Sequence, residues 1–561
     1  MTSSSNIVVL GGGPVGLAAT LELARFGVRS ILLEQHAGVA WHPKTRNFNT
    51  RTMEIARNWG PEVYARLRDI DTPPGWKSPI RFFDYVTGTQ AGTIEALGFE
   101  GPGPTVSPAL PVMSSQDLLE KILLAAALAT GLVDVRFGHE VTQVISGWND
   151  EDDGVELEVL NRESGSSYTL AGQALVAADG SQSLVREQLG IALHGEKAIH
   201  HFVNCYFYAD IEPHIEDRRG VLLYVASAAA AGVLQPLDAR GRWLCQIPVP
   251  AEKWTDDLYG DDDVRQWVRA AVGLPELEVE VRSIGRWQMN ATVAERFVQG
   301  RVILCGDAAH QFPPTGGLGV NTGLQGMHNA AWKLALCVKG LADWSLLGTY
   351  DTERRGPSLR TTNQSYDNHQ KVQQIAASQY NNGHTDLDVD TIVATMRRYG
   401  NHLGVEFGSA YDSSAVIADG TTPPVVADDY SDYAPSATPG CRAPHVWLGR
   451  SETVSTVDLV CAGFTLLTGP EGSAWRAAAE SASRSFGLPV ACYRIGDPGL
   501  DDESGNFVRT YGIEDSGAVL VRPDGYVAWR STSAMADPTS AIELAIGQVL
   551  GIGSASEVRS A

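Results

Sequence analysis

Close to the N-terminus an apolar run ends in glycines at a spacing that few folds accommodate. Ile7-Val8-Val9-Leu10 reads as a buried strand, Gly11, Gly13 and Gly16 follow in G-x-G-x-x-G register, and Leu17 to Arg25 carries the composition of a helix. Glycines so placed serve a tight turn, a close approach of backbone to a pyrophosphate, and close packing of helix on strand. The helix N-terminus then directs free N–H groups and a positive dipole at the phosphates. Gly27 suits the end of this helix, and Ser30 to Leu33 makes a second strand closed by Glu34. About twenty residues beyond such glycines, a carboxylate takes the ribose hydroxyls of an adenosine. A glycine-rich turn around an empty pocket would leave Glu34 without a role. The unit therefore predicts a Rossmann-like start and a bound dinucleotide.

The rest of the chain alternates strands and helices. Val155–Val159 and Tyr168–Leu170 read as an antiparallel hairpin, and the strand Leu175–Ala178 ends in Asp179-Gly180. Residues 200–290 are strand-rich with alternating aromatics. The strand Arg301–Cys305 ends in Gly306-Asp307 and runs through a Pro/Gly-rich loop into an Ala-rich helix around Ala330 to Val338. A loose Pro-, Asp- and Ser-rich segment, Thr421 to Pro444, reads as a linker. Beyond it, strands at Phe464–Leu467, Val490–Tyr493 and Ala518–Val521, the last joined through Pro523-Asp524-Gly525 to Tyr526–Trp529, suggest a compact α/β module.

Composition excludes several partners. Sixty-six acidic against forty-three basic residues give a net charge of −23, which argues against broad nucleic-acid binding and against docking on anionic lipid. Met1-Thr2-Ser3-Ser4-Ser5 offers no basic signal-peptide region, and the apolar stretch from Ile122 to Val133 falls short of a membrane span. Seven cysteines without any Cys-x-x-Cys pair point away from zinc and dithiol chemistry. No metal site is expected, and a cytoplasmic protein is.

Three separated motifs fit together: Gly11 to Gly16; Asp179-Gly180 with Ser183 and Arg186; and Gly306-Asp307-Ala308-Ala309-His310 running to Pro313-Pro314-Thr315-Gly316-Gly317-Leu318-Gly319-Val320-Asn321. The set, with Arg51-Thr52-Met53-Glu54-Ile55 and Gln116-Asp117-Leu118-Leu119-Glu120, resembles the class A FAD-dependent aromatic hydroxylases. The tail from Pro439 resembles the thioredoxin-like C-terminal domain of their phenol-hydroxylase branch. The resemblance implies an α/β fold in three parts: a Rossmann-like FAD-binding domain (residues 1–80, 101–195 and 290–400), an inserted β-sheet substrate domain (81–100 and 196–289), and, after a linker (401–439), a thioredoxin-like domain (440–561) without redox cysteines. It implies FAD, with NAD(P)H as reductant and no second Rossmann fingerprint to hold it, O₂ as co-substrate, and a small aromatic substrate, a phenolic or hydroxy-heteroaromatic ring, hydroxylated through a C4a-hydroperoxyflavin. NADPH or NADH, the catalytic base and a homodimer are left open.

Residue by residue, the resemblance places Gly11, Gly13, Gly16 and Glu34 at the adenosine diphosphate and Asp307 at the ribityl chain. Asp179 falls to FAD and the nicotinamide donor, with Arg186 as helix anchor, and Gln116 to the phosphate–ribityl region. Arg46 fits a cofactor-contacting arginine, while Lys44 stands where many relatives carry Arg. Gly317, Gly319, Val320 and Asn321 would cradle the flavin's pyrimidine edge. Pro314 would turn its carbonyl to the substrate. Tyr206, Tyr208, Tyr224, Gln235, Gln246 and Trp287 are the candidates for the substrate wall. His42 and His310 read as structural. A flavin-dependent halogenase would need a Trp-x-Trp-x-Ile-Pro segment, which the chain lacks. A non-catalytic FAD protein would have no reason to keep both Asp179-Gly180 and the Gly316–Gly319 run. The moderate-length match to chlorophenol hydroxylases, through His42-Pro43-Lys44 and Tyr411-Asp412-Ser413-Ser414, favours a compact phenol-like ring over a large polycycle.

Overall fold

The computed structural model describes residues 7–149, 151–255, 258–380, 389–450, 452–460 and 462–552. Cys461 and the N-terminal Met1–Ser5 lie outside the described residues.

The strand Ile7–Leu10 is buried along its whole length and sits inside a six-stranded sheet. It pairs in parallel with Ser30–Glu34 on one side and Ala174–Ala177 on the other. Val133–Phe137 and Val302–Leu304 extend the parallel set, and Val298–Gln299 closes one edge antiparallel. Continuous apolar strands suit a sheet covered on both faces. The helix Pro14–Arg25 packs against Gln116–Ala129 and against the long helix Gly319–Val338. The strand ends that carry Gly11, Asp179 and Gly306 therefore emerge side by side, the usual place for a ligand in such a sheet.

The expected hairpin forms, with a third strand, His139–Ser146, completing a small antiparallel sheet. The helix expected around Ala330 starts earlier, at Gly319.

The second body is an eight-stranded mixed sheet built from Ile80–Phe83, Gln90–Ile94, the strands between Leu193 and Ala294, and His310–Gln311. Alternation along its strands separates two faces. Val203, Cys205, Phe207, Leu234, Trp243 and Cys245 pack under the helix Asp261–Val272. The other face carries Asn204, Gln246 and Tyr224 in register around Val233: Asn204 opposite Gln246, Gln246 opposite Val233, and Val233 opposite Tyr224.

The third body is a four-stranded sheet in the order Val490–Arg494, Phe464–Thr468, Ala518–Val521, Val527–Ser531. The helix Ala474–Phe486 links the parallel pair and Pro538–Val549 packs beside it, a thioredoxin-like arrangement. Its core is continuous with that of the first body, Phe464 meeting Trp332 edge to face at 6.1 Å. The segment before it is irregular but pinned, for Tyr411 stacks on Tyr526 at 4.0 Å. Among the described residues no helix is long and apolar enough to cross a membrane.

Candidate active site

The three glycines of the first turn answer different needs. A Cβ on Gly11 would sit 2.3 Å from the Ala178 carbonyl oxygen, and one on Gly16 would sit 1.9 Å from that of Gly11. A Cβ on Gly13 would meet nothing within 4 Å. The chain's own packing thus requires the first and third glycines, while the second keeps an outer surface clear. Gly13 is also the N-cap of the Pro14 helix and offers no side-chain cap, so the first N–H groups there are free for an anion. Glu34 braces this turn, accepting the Gly12 N–H at 2.7 Å and the His36 N–H at 2.8 Å.

Two aspartates follow along the strand ends. Asp179 accepts the Val185 N–H through Oδ2 (3.2 Å), whereas its buried Oδ1 has no partner. Burial raises its pKa. Arg186 donates to the carbonyls of Ser181 and Ala308, tying the Asp179 turn to the Asp307 turn. The Asp307 carboxylate accepts no hydrogen bond among the described residues and opens to solvent. Protein walls around it nevertheless raise its pKa, the Lys44 ammonium opposing. Lys44 also acts on Glu120. It is Lys44, not Arg46, that the acids of this groove face.

Arg46 goes elsewhere. Its guanidinium donates to Pro236 O (2.5 Å) and Val221 O (2.7 Å), both on the eight-stranded sheet body. Arg46 thus ties its loop to the sheet body, while its side chain also lines the cavity described below. Gln116 is likewise engaged by protein, accepting the Thr45 N–H at 3.1 Å and donating to Glu120 at 2.6 Å. It supports the loop that carries Lys44 and Arg46.

The Pro313–Asn321 loop seats the end of the long helix. Gly316 and Gly317 have φ of +131° and +65°, values that favour glycine. The Pro314 carbonyl accepts the Gly317 N–H at 3.0 Å, closing a turn. A Cβ on Gly317 would lie 3.2 Å from Asn47 Nδ2, so this glycine serves the backbone and Asn47 first. A Cβ on Gly319 would find only Phe312, at 3.8 Å. Gly319 therefore repeats the logic of Gly13: a helix start kept open on its outer side. Asn321 bonds only to protein: its Oδ1 accepts from Asn49 N (2.9 Å) and Thr52 Oγ1 (2.8 Å), and its Nδ2 donates to Asn47 O and Gly317 O. Its side chain clamps the loop, and with Gly319 and Val320 the residue forms the first turn of the helix.

A cavity of about 190 Å³ lies between this loop and the polar sheet face, lined by Arg46, Pro314, Gly317, Gly319, Val320, Tyr224, Gln235 and Gln246 among others. Gln235 and Gln246 are mostly buried, yet neither side chain bonds to protein among the described residues. Tyr224 stacks on Phe82 at 5.1 Å and shares a 2.6 Å hydroxyl–hydroxyl hydrogen bond with Tyr399. Enclosure pulls Arg46 down to about 10 and pushes Tyr224 up to about 12, the Tyr399 hydrogen bond and Arg46 opposing the latter.

Other substrate candidates lie outside the lining. Tyr206 bonds to Tyr208 (3.1 Å) and to Arg242, whose guanidinium pairs with Asp117 at 3.0 Å. That cluster bridges the sheet to the helix Gln116–Ala129. Trp287 donates to Asn204 at 2.7 Å and stacks on Phe202 at 4.8 Å. Sequence reasoning missed Tyr399, Asn47 and Phe99, all in the lining. No motif marks them, and Tyr399 comes from a short helix far along the chain.

An FAD fits the residues present: a helix start kept clear by Gly13, an orphaned Asp179 oxygen and an unpartnered Asp307 lie along the strand ends of the six-stranded sheet, and Gly319 keeps a second helix start clear. A family model for an FAD binding domain matches residues 4–365, and one for the C-terminal domain of aromatic-ring hydroxylases matches residues 436–552. The chain is 33% identical to tetracenomycin A2 monooxygenase-dioxygenase of Streptomyces glaucescens, over 98% of its own length and 97% of the relative's. It is 32% identical to 2,4-dichlorophenol 6-monooxygenase of Cupriavidus pinatubonensis, over 98% and 97%. The solved flavin-dependent monooxygenase PieE, in complex with FAD and substrate, superposes with a TM-score of 0.88 at 32% identity, covering 97% of this chain and 99% of that one. With both family models matched and relatives aligned nearly end to end, the protein belongs to the FAD-dependent aromatic-ring hydroxylases and is a monooxygenase of that family.

Proposed function

We propose that the protein hydroxylates a compact phenolic ring held between the Pro313–Val320 loop and the sheet face of Tyr224, Gln235 and Gln246, using NAD(P)H and O₂. One observation carries this reading: two buried amides without protein partners and a guanidinium without a carboxylate converge on one cavity. Polar groups that open into a cavity orient what it holds, and a hydroxylated ring supplies both a donor and an acceptor. The cavity falls below the ~300–1,000 Å³ usual for small-molecule sites, which supports one ring over a fused system. Tyr206, Tyr208 and Trp287 then shape the sheet around the cavity. The boundaries given above for the FAD-binding, sheet, linker and C-terminal segments are our division of the chain.

FAD, when bound, supplies the electron and oxygen chemistry. The chain's residues hold it and prepare the ring. Gly13 and Gly319 admit the cofactor to two helix starts, and Asp307 accepts from a polyhydroxyl chain because an ionised carboxylate is an acceptor only. In the cavity Tyr399 donates to Tyr224 Oη and Tyr224 donates to the oxygen of a ring that enters as phenolate, its proton left in solvent. The positive charge of Arg46 favours the anionic form of the ring oxygen, so the ring stays electron-rich. The loop and sheet exclude water from it.

The test is NAD(P)H oxidation stimulated by a panel of phenols, followed by Tyr224→Phe. The variant should keep its flavin, lose about 10²-fold in kcat/KM, and need a higher pH for half-maximal kcat/KM. Unchanged kcat/KM and pH profile would remove Tyr224 from the reaction.

A further inference from the structure

The C-terminal module carries no dithiol, and burial pushes the Cys441 and Cys492 thiols up to about 11, away from the reactive thiolate. Yet it contributes charged side chains to the deepest part of the catalytic body. Arg522 forks onto Glu353, with Nη1 2.6 Å from Oε1 and Nη2 2.8 Å from Oε2, and also bonds to Asp524. Glu353 accepts from Lys333 Nζ at 2.7 Å and from Asn329 Nδ2 at 2.6 Å, and Asn329 also donates to Asp524 at 3.0 Å. Lys333 and Asn329 stand on the Gly319–Val338 helix, Glu353 on Ser345–Tyr380. On the other side of the tip, Arg51 donates to the Asp524 carbonyl at 2.8 Å, and Arg442 forks onto Glu54. Arg51 and Glu54 belong to the helix Thr50–Arg57, whose entry residue Asn49 bonds to Asn321. Lys333, Glu353, Arg522, Asp524, Glu54 and Arg442 are all buried.

We propose that the Arg522–Tyr526 hairpin tip is a positioning element for the flavin seat, locking the Gly319 and Thr50 helices in one relative register and through Asn321 fixing the Gly316–Gly319 loop. Asn321 and Asn329 lie eight residues apart on one helix, about 12 Å along its axis. The helix is therefore gripped at its start by the Thr50 helix and at its middle by the module, and the module grips the Thr50 helix too. A wholly apolar contact would hold the module on at least as well, because desolvating ions costs much of what their pairing returns. What forked arginine pairs add is fixed geometry. The inference rests on the reading of the Gly316–Gly319 loop as the flavin seat.

The experiment uses the full-length chain, prepared as apoprotein and as holoenzyme. Asp524→Asn keeps the shape of the tip and removes its charge. It should retain a native far-UV circular dichroism spectrum, bind FAD about three- to tenfold more weakly to apoprotein, shift the bound flavin's absorbance bands, and oxidise more NAD(P)H per product formed. Val519→Ala, in the separate core of the module, should lower the melting temperature and leave FAD affinity and coupling unchanged. If Asp524→Asn does not fold, Arg442→Lys, which keeps the charge and loses the fork, is read in the same way. Normal FAD affinity and coupling in the tip variant, or equal losses in Val519→Ala, would make the module a passive stabiliser and overturn the inference. Gly319→Ala separates the two readings: if it impairs flavin binding while the tip variant does not, only the positioning role falls. If both are silent, the flavin seat itself is misassigned and the inference falls with it.

Discussion

Asp307 is the residue we propose to hold the ribityl chain of the cofactor. It stands at a strand end with an unpartnered carboxylate, and the one cation acting on it is Lys44. Asp307→Ala should yield folded protein that purifies with about a tenth or less of the parent's flavin, measured as the ratio of visible to ultraviolet absorbance; full occupancy would contradict its ribityl role. Among single residues, the sequence was most readable where a type and a spacing are both demanded: Gly11, Glu34, Asp179 and Asp307 fall at the ends of neighbouring strands, and Gly13 and Gly16 at and inside the start of the helix that follows the first. It was least readable for long side chains. Arg46 and Lys44 are two residues apart, and which one turns to the groove depends on the Val221 and Pro236 carbonyls, nearly two hundred residues away. Nothing local to His42–Arg46 encodes that choice. Tyr399 was unreadable for the same reason, since its value comes only from meeting Tyr224.

At the scale of elements, the Gly319–Val338 helix begins two residues before Asn321, the residue expected to open it, and keeps three glycines in its first two turns. Gly319, Gly323 and Gly326 make its first two turns look like loop, because glycine weakens helices. The structure gives the reason for one of them: a Cβ on Gly323 would lie 2.7 Å from Val15 Cγ2 and 3.1 Å from the Gly306 backbone. Close approach of three elements outweighs propensity there. Gly319 and Gly317 differ in kind, and this yields a prediction. Gly319→Ala adds a methyl group where protein leaves space, so it should preserve the melting temperature and weaken FAD binding. Gly317→Ala must adopt a φ of +65° and press on Asn47, so it should lower the melting temperature by several degrees as well. Thermal melts of the two apoproteins check this: equal destabilisation would show that Gly319 has a packing role. The strands, by contrast, were legible where alternation and apolar runs report on local exposure. Strands not read include Val133–Phe137, Ile80–Phe83, Gln90–Ile94 and His139–Ser146, the last with charged and amide side chains that hide its pairing with Val155–Asn161.

The whole molecule has three parts by topology but fewer by physics. Arg242 and Asp117 bridge the sheet to the FAD-binding body, and the core of the first body runs without a break into the C-terminal module through Trp332 and Phe464. Residues 420–425, just ahead of that module, are by contrast exposed. The continuity of chain there is dispensable in a way the continuity of packing is not. A single proteolytic nick in that stretch should release nothing: the two fragments should elute together in native size-exclusion chromatography, keep their yellow colour, and part only in denaturant. Separation under native conditions would show that the tip adds little to cohesion. The same feature means that the two halves, expressed as separate polypeptides, are candidates for reassembly into one working enzyme, whereas the first half alone would carry Lys333 and Glu353 with no Arg522 to complete them. The module behaves less as an appended domain than as a missing piece of the catalytic one, delivered late by the ribosome, so that a chain interrupted before residue 522 has no means of finishing its own interior.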